Sequence, residues 1–175
     1  MPDGKKVHVL KVLIAGEGNS GKTSLVHRFC FGKFDDYRAH TIGLEFNSVT
    51  INLKTGETVK LAIWDLAGQP QFYYIRKEFY SGSRATALVF DLTSQDSFLQ
   101  LRVWQEEILQ ACPEQKFLLV GNKTDLKRRR KVSEEIAQRY AESIGAPYLE
   151  TSAKKGRQVR RMFQHLVRLA IDPYG

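Results

Sequence analysis

The sequence predicts an α/β fold: a doubly wound, mixed six-stranded sheet with one antiparallel hairpin strand and helices on both faces. Short apolar runs alternate with amphipathic segments along all 175 residues, without repeats or low-complexity stretches, which is the pattern of strands and helices in turn. One pair of strand-like segments is separated only by turn chemistry and so folds back on itself. Each polar motif also falls just after an apolar run, at the carboxyl edge where such sheets bind ligands. The length suits one domain, residues 1–175, with a core of its own.

The first strand is predicted over Val9 to Ala15, and Gly16-Glu17-Gly18-Asn19-Ser20-Gly21-Lys22-Thr23 follows it, matching G-x-x-x-x-G-K-[ST]. A helix over Lys22 to Phe31 comes next, with Leu25, Val26 and Phe29 on one face. The glycines let the backbone turn and approach closely, so that N–H groups and the helix N-terminus point at phosphate oxygens. Lys22 then supplies positive charge between the outer phosphates, and Thr23 offers a hydroxyl to Mg²⁺, which prefers oxygen ligands.

Leu44 to Leu53 alternates as a strand, Lys54-Thr55-Gly56 has turn chemistry and Thr58 to Asp65 resumes a strand, which predicts an antiparallel hairpin. Ala85 to Asp91, Lys116 to Asn122 and Ala146 to Glu150 are short apolar runs of the kind buried on both faces in a parallel sheet. A helix over Ser97 to Ala111 stops before Pro113. Another starts at the N-cap Ser133, with Glu134 and Glu135 in its first turn, and ends near Gly145. A last helix begins near Gln158, and its Val159, Met162, Phe163, Leu166, Val167 and Ala170 recur at helical spacing as a core face.

The charge is local. Of a net +8, Lys127 to Lys131 contribute +5 and Thr151 to Gly175 another +5, leaving −2 for the rest. These bases suit an anionic membrane surface or an acidic partner, or else form a solvated loop and helix face. Nucleic acid is not expected, because no aromatics for stacking are interleaved with them. Cys30 and Cys112 lie in helix-like segments outside any paired or zinc-binding spacing and read as reduced cysteines. Met1 to Lys6 has no signal-peptide run and no stretch is long enough to span a bilayer, so a soluble, cytoplasmic protein is expected.

Trp64-Asp65-Leu66-Ala67-Gly68-Gln69 closes the hairpin strand and opens a loop. Asp65, a carboxylate after an apolar strand, is the second anchor for Mg²⁺, through a water. Gly68 leaves its N–H open to a γ-phosphate, and Gln69 can orient a water. Asn122-Lys123-Thr124-Asp125 follows a buried strand, where a carboxylate can accept hydrogen bonds from N1–H and the 2-amino group of guanine. Adenine has neither donor, and a site built for them rejects it by about four to five orders of magnitude. Asp125 is thus the base-selecting residue, with Asn122 bracing neighbouring loops and the stem of Lys123 lying along the base. An ATP-dependent kinase would share the phosphate loop but leaves Gln69 and Asn122 to Asp125 unexplained.

Gly16 to Thr23, Thr41-Ile42-Gly43-Leu44-Glu45-Phe46, Trp64 to Gln69, Asn122 to Asp125 and Glu150-Thr151-Ser152-Ala153-Lys154 together resemble the small GTPases of the Ras superfamily, closest to the Rab branch. The resemblance implies the P-loop GTPase fold and a switch that binds GTP or GDP and slowly hydrolyses GTP. It implies nucleotide contacts from Gly16, Gly18, Asn19, Ser20, Gly21, Lys22, Thr23, Ser24, Phe34, Thr41, Gly68, Asn122, Lys123, Asp125, Ser152, Ala153 and Lys154. It further implies Mg²⁺ held by Thr23, Thr41 and Asp65, with Gln69 catalytic. Phe34 to Phe46 and Asp65 to Tyr80 would be the two switches, and Ile42, Phe46, Trp64, Phe72 and Tyr73 resemble the patch used by Rab effectors.

Exchange factors, GTPase-activating proteins and a monomeric state are implied likewise. The chain departs from the pattern at Pro70, where the family often has Glu, and at Arg38, where many relatives carry a tyrosine. Pro70 leaves open a module that holds GTP with little intrinsic hydrolysis, and Arg38 an internal arginine finger. The sequence ends without the C-terminal cysteines of Rab proteins, so it offers no site for prenylation.

Overall fold

The computed structural model describes residues 7–36 and 40–171. Its elements are β1 (Val7–Ala15), α1 (Lys22–Phe31), β2 (Leu44–Asn52), β3 (Thr58–Leu66), α2 (Tyr73–Lys77), β4 (Ala85–Asp91), α3 (Gln95–Leu99), α4 (Leu101–Ala111), β5 (Lys116–Asn122), α5 (Glu134–Ser143), β6 (Tyr148–Glu150) and α6 (Val159–Ile171). Turns of 3₁₀ helix occupy Pro70–Phe72 and Thr124–Arg129. The strands lie in the order β2-β3-β1-β4-β5-β6. β2 and β3 pair antiparallel, from Leu44 opposite Leu66 to Asn52 opposite Thr58, and every other neighbouring pair is parallel. This is the predicted mixed sheet.

Successive strand side chains point to opposite faces, and the two sides of β1 feed two cores. Val12 and Ile14 meet Leu25 and Val26 of α1 and Met162, Phe163 and Leu166 of α6. Leu13 and Ala15 meet Trp104 and Ile108 of α4 and Ala137 and Ala141 of α5. All six residues of the stripe predicted on the last helix are buried, and Phe163 stacks on Phe29 with centroids 4.0 Å apart. With β3 on one side and β4 on the other, β1 sits where the strand order reverses, so the loop after it opens into the ligand crevice of a doubly wound sheet. Among the described residues no helix is long and apolar enough to cross a membrane.

Several boundaries differ from the sequence reading. The helix expected over Ser97 to Ala111 is two helices: the Ser94 hydroxyl caps α3 by accepting from Ser97 N–H, and the helices join at Gln100. The apolar period runs through the junction at Phe98, Leu101 and Trp104, which hides the break. The last strand starts at Tyr148 rather than Ala146, since Pro147 has no N–H to give a sheet ladder. The final helix starts at Val159 because Gln158 takes a φ of 55°. Ser133 caps α5 as expected, accepting from Ile136 N–H. Cys30 lies in α1 and Cys112 just beyond α4, and both are free thiols; burial pushes the Cys30 thiol up to about 11.

Candidate functional site

The loop between β1 and α1 needs glycine for space as well as for conformation. Gly16 and Gly21 take φ of 140° and 91°; a Cβ would lie 2.0 Å from the Val89 carbonyl oxygen at the first and 2.2 Å from Asn122 Nδ2 at the second. The loop also closes on itself, with the Ser20 hydroxyl donating to Glu17 O at 2.9 Å and Lys22 Nζ to the same oxygen at 2.7 Å. Burial pushes the Lys22 ammonium down to about 8, against the pull of the Asp65 and Glu17 carboxylates. A phosphate beside it would restore a strong preference for the charged form.

Three oxygen donors from separate stretches converge next to this lysine. The Thr23 hydroxyl at the start of α1 donates to Asp65 Oδ2 near the end of β3 and lies 2.6 Å from the Thr41 hydroxyl, which arrives from the loop before β2. Hydroxyl, hydroxyl and carboxylate form a hard, all-oxygen set of the kind Mg²⁺ takes, so the residues expected to hold it fit it. Gly68 packs onto the phosphate loop so closely that a Cβ there would lie 2.2 Å from Gly18 N. The Gln69 side chain lies across Gly18, and its Oε1 is buried without a hydrogen-bond partner among the described residues. The Gln69 backbone is extended, with φ −74° and ψ 141°, the conformation that Pro70 imposes.

The other end of the groove is a cavity of about 350 Å³ lined by Phe34, Lys123, Asp125, Leu126, Ala153 and Lys154, among others. It shares Asn19, Gly21 and Ser24 with the phosphate end, so the two ends form one continuous groove. Asn122 is the brace: Nδ2 donates to Ser20 O at 3.0 Å, while Oδ1 accepts from the Thr151 hydroxyl at 3.0 Å and from Ala153 N–H at 3.3 Å. The Ser152 hydroxyl donates to Asp125 Oδ1 at 2.5 Å, so Ser152 holds Asp125 in place from behind the cavity wall. Gly16, Ser20 and Asp65 likewise sit outside the lining, while Lys22, Thr23, Thr41, Gly68 and Gln69 are on it. Arg38 lies outside the described residues.

Other residues of the site were not visible in the sequence pattern. His40 and Leu66 line the phosphate end. Asp91 at the end of β4 pairs with Lys123 at 2.6 Å, holding that stem where Lys123 takes a left-handed φ of 75°. An acid closing an apolar strand was the available signal, the same one that marked Asp65. Lys154 Nζ reaches Asp36 at 3.1 Å across the cavity mouth. Arg28 of α1 donates to Ala153 O at 2.8 Å and to Lys154 O at 2.7 Å, fastening the loop that closes the cavity.

The groove thus offers main-chain amides and a lysine at one end, an oxygen set suited to a divalent cation beside them, and a braced carboxylate at the other. Known proteins resemble the chain across the same elements. The model of the Ras family matches residues 11–172. Ras-related protein Rab-1D of Dictyostelium discoideum is 42% identical over 159 residues, covering 90% of this chain and 78% of that protein. Ras-related protein Rab-21 of Homo sapiens is 39% identical over 168 residues, covering 95% and 74%. RabC of Dictyostelium discoideum is 41% identical over 159 residues, covering 90% and 81%. With a family match over nearly its whole length and relatives of this identity on both counts, the chain belongs to the Ras family, in its Rab branch, and is a small GTPase.

Proposed function

We propose that this GTPase is a Rab-like switch that binds GTP or GDP with Mg²⁺ and exchanges one set of protein partners for another as it slowly hydrolyses GTP. The observation that carries the reading is the meeting of Thr23, Thr41 and Asp65 at one end of a groove whose other end holds Asp125. The amides of Gly16 to Ser24 and the Lys22 ammonium receive the phosphates. Phe34, Asn122, Lys123, Asp125, Ser152, Ala153 and Lys154 shape the guanine end, and Asp125 accepts from the two donors that adenine lacks. Thr23, Thr41 and Asp65 would hold Mg²⁺, which when bound neutralises charge on the phosphates. Gln69 lies beside Gly18, where its amide oxygen, unpaired among the described residues, can accept a hydrogen bond from an attacking water and Gly68 N–H can meet the γ-phosphate. Because Gln69 reaches this position with the extended backbone that Pro70 demands, hydrolysis is favoured over mere retention of GTP.

Thr41 and Gly68 make their contacts from the segments Phe34 to Phe46 and Asp65 to Tyr80, so loss of the γ-phosphate releases both. The surface they carry is apolar: Ile42 is 81% exposed and Phe46 51%, and Phe46 meets the Trp64 ring edge-on at 5.2 Å. Effectors would read this patch together with Phe72 and Tyr73, and exchange factors and GTPase-activating proteins would act on the same switches. We further propose a monomer that is cytoplasmic and touches membranes peripherally through its basic patches, with no nucleic-acid partner.

The test is to denature purified protein, identify the released nucleotide and follow the conversion of bound GTP with Mg²⁺ present. Guanine nucleotide is expected, with slow conversion to GDP, and Asp125→Asn is expected to lose the preference for guanine over adenine. Release of adenine nucleotide, or unchanged selectivity in the variant, would refute the reading.

A further inference from the structure

Arg76 of α2 is a buried charge, 5% exposed, in a segment where a surface helix would bury an apolar side chain. All of its nitrogens are used. Nη2 donates to Glu107 Oε1 at 3.1 Å and Nε to Glu107 Oε2 at 3.3 Å, while Nε also lies 3.2 Å from the Tyr80 hydroxyl. Nη1 donates to the carbonyl of Gln69 at 3.2 Å. The guanidinium carbon lies over Trp104, 4.0 Å from the ring centroid, and the Trp104 indole N–H donates to Glu17 Oε1 in the phosphate loop at 3.0 Å. Tyr80 donates to Glu107 at 2.9 Å, and burial together with Glu107 pushes its phenol far up, so it remains a donor.

A buried ion pair contributes little net stability compared with well-packed apolar side chains. What a guanidinium adds is direction, since its planar fork can engage a carboxylate and still aim a further N–H elsewhere. Here that N–H is aimed at the backbone of the residue assigned to orient water. We propose that Arg76 is the positioning residue for Gln69: anchored on α4 by Glu107 and Trp104, it fixes the Gln69 carbonyl against a helix that Trp104 itself ties to the phosphate loop through Glu17. The same carbonyl accepts from Phe72 N–H at 3.1 Å within its own turn, so Arg76 is the contact that ties it to α4.

The proposal rests on the reading of Gln69 given above, and the experiment separates the two. Single-turnover GTP hydrolysis and the release rates of GTP and GDP are measured in the wild type, in Arg76→Lys, and in Arg76→Met/Glu107→Leu, which replaces the ion pair by an apolar one so that no charge is left buried. Hydrolysis is expected to fall about tenfold or more, as displaced reacting groups do, with release rates unchanged. In a Gln69→Leu background the same changes are expected to cost nothing further, because Arg76 acts only through that residue. Unchanged hydrolysis, release rates that rise alongside the loss, or losses that multiply with Gln69→Leu would each overturn the proposal. A wild type that binds GTP and never converts it would refute the role of Gln69 instead. Amide hydrogen exchange at Gln69 to Tyr73 then decides on Arg76: faster exchange in the variants is expected, and unchanged exchange overturns the proposal.

Discussion

Asn122 joins three separate stretches of chain and is 1% exposed, so its partners cannot turn to water if it is removed. Asn122→Ala is expected to lower the free energy of unfolding by about 2–3 kcal/mol, the cost of leaving buried polar groups unpaired. It should also speed nucleotide release. Chemical denaturation and the dissociation of a fluorescent guanine nucleotide would check both effects. The bracing role was legible because it belongs to a short motif after a strand. The support given by Arg28, Asp91 and Arg76 was not, since each works through a partner distant in sequence: Arg28 reaches Ala153 across 125 residues. Nothing local distinguishes Arg28 or Arg76 from a base that faces water, and the place of Asp91 at the end of an apolar strand marks an acid there without naming its partner.

Elements were legible where burial sets a period. The strands of the parallel sheet read as short continuous apolar runs because they are buried on two faces, and α6 reads as apolar residues at helical spacing because it is buried along one stripe. α2 escaped notice because the side chain it buries is an arginine, and the α3–α4 junction because apolar spacing continues across it. At the end of β6, burial opposes ionisation of Glu150, but hydrogen bonds from Arg130 and Tyr148 and the Arg130 charge outweigh it and hold the carboxyl below its ordinary 4.5. With a folded-state value below the unfolded one, Glu150 contributes stability that is complete above about 4.5 and is lost as the pH falls through the lower folded value. Urea unfolding at a series of acidic pH values is expected to show this loss in the wild type. Glu150→Gln should be less stable near neutrality and fall less steeply in acid.

At the scale of the molecule, one of the two basic stretches adjoins the chemistry. Arg128, Arg129, Arg130 and Lys131 are exposed just after the loop that carries Asp125. Each base near an anionic bilayer adds about 1 kcal/mol, screened within a Debye length. Co-sedimentation with vesicles containing anionic lipid is therefore expected, declining as salt rises. Reversing Lys127, Arg128 and Arg129 to glutamate should abolish it, and equal binding to neutral vesicles would show that charge is not the cause.

The central place of β1 affects how the molecule is made. Its phosphate loop leaves the ribosome before the strands it relies on, since β1 pairs with β3 and β4, and the loop opposite its ligand, Thr151 to Lys154, emerges more than a hundred residues later. A nascent chain therefore has no complete seat for a nucleotide until nearly all of the described fold has been synthesised. A nucleotide seated as proposed would act as a clasp between early and late polypeptide, and its departure would loosen both at once.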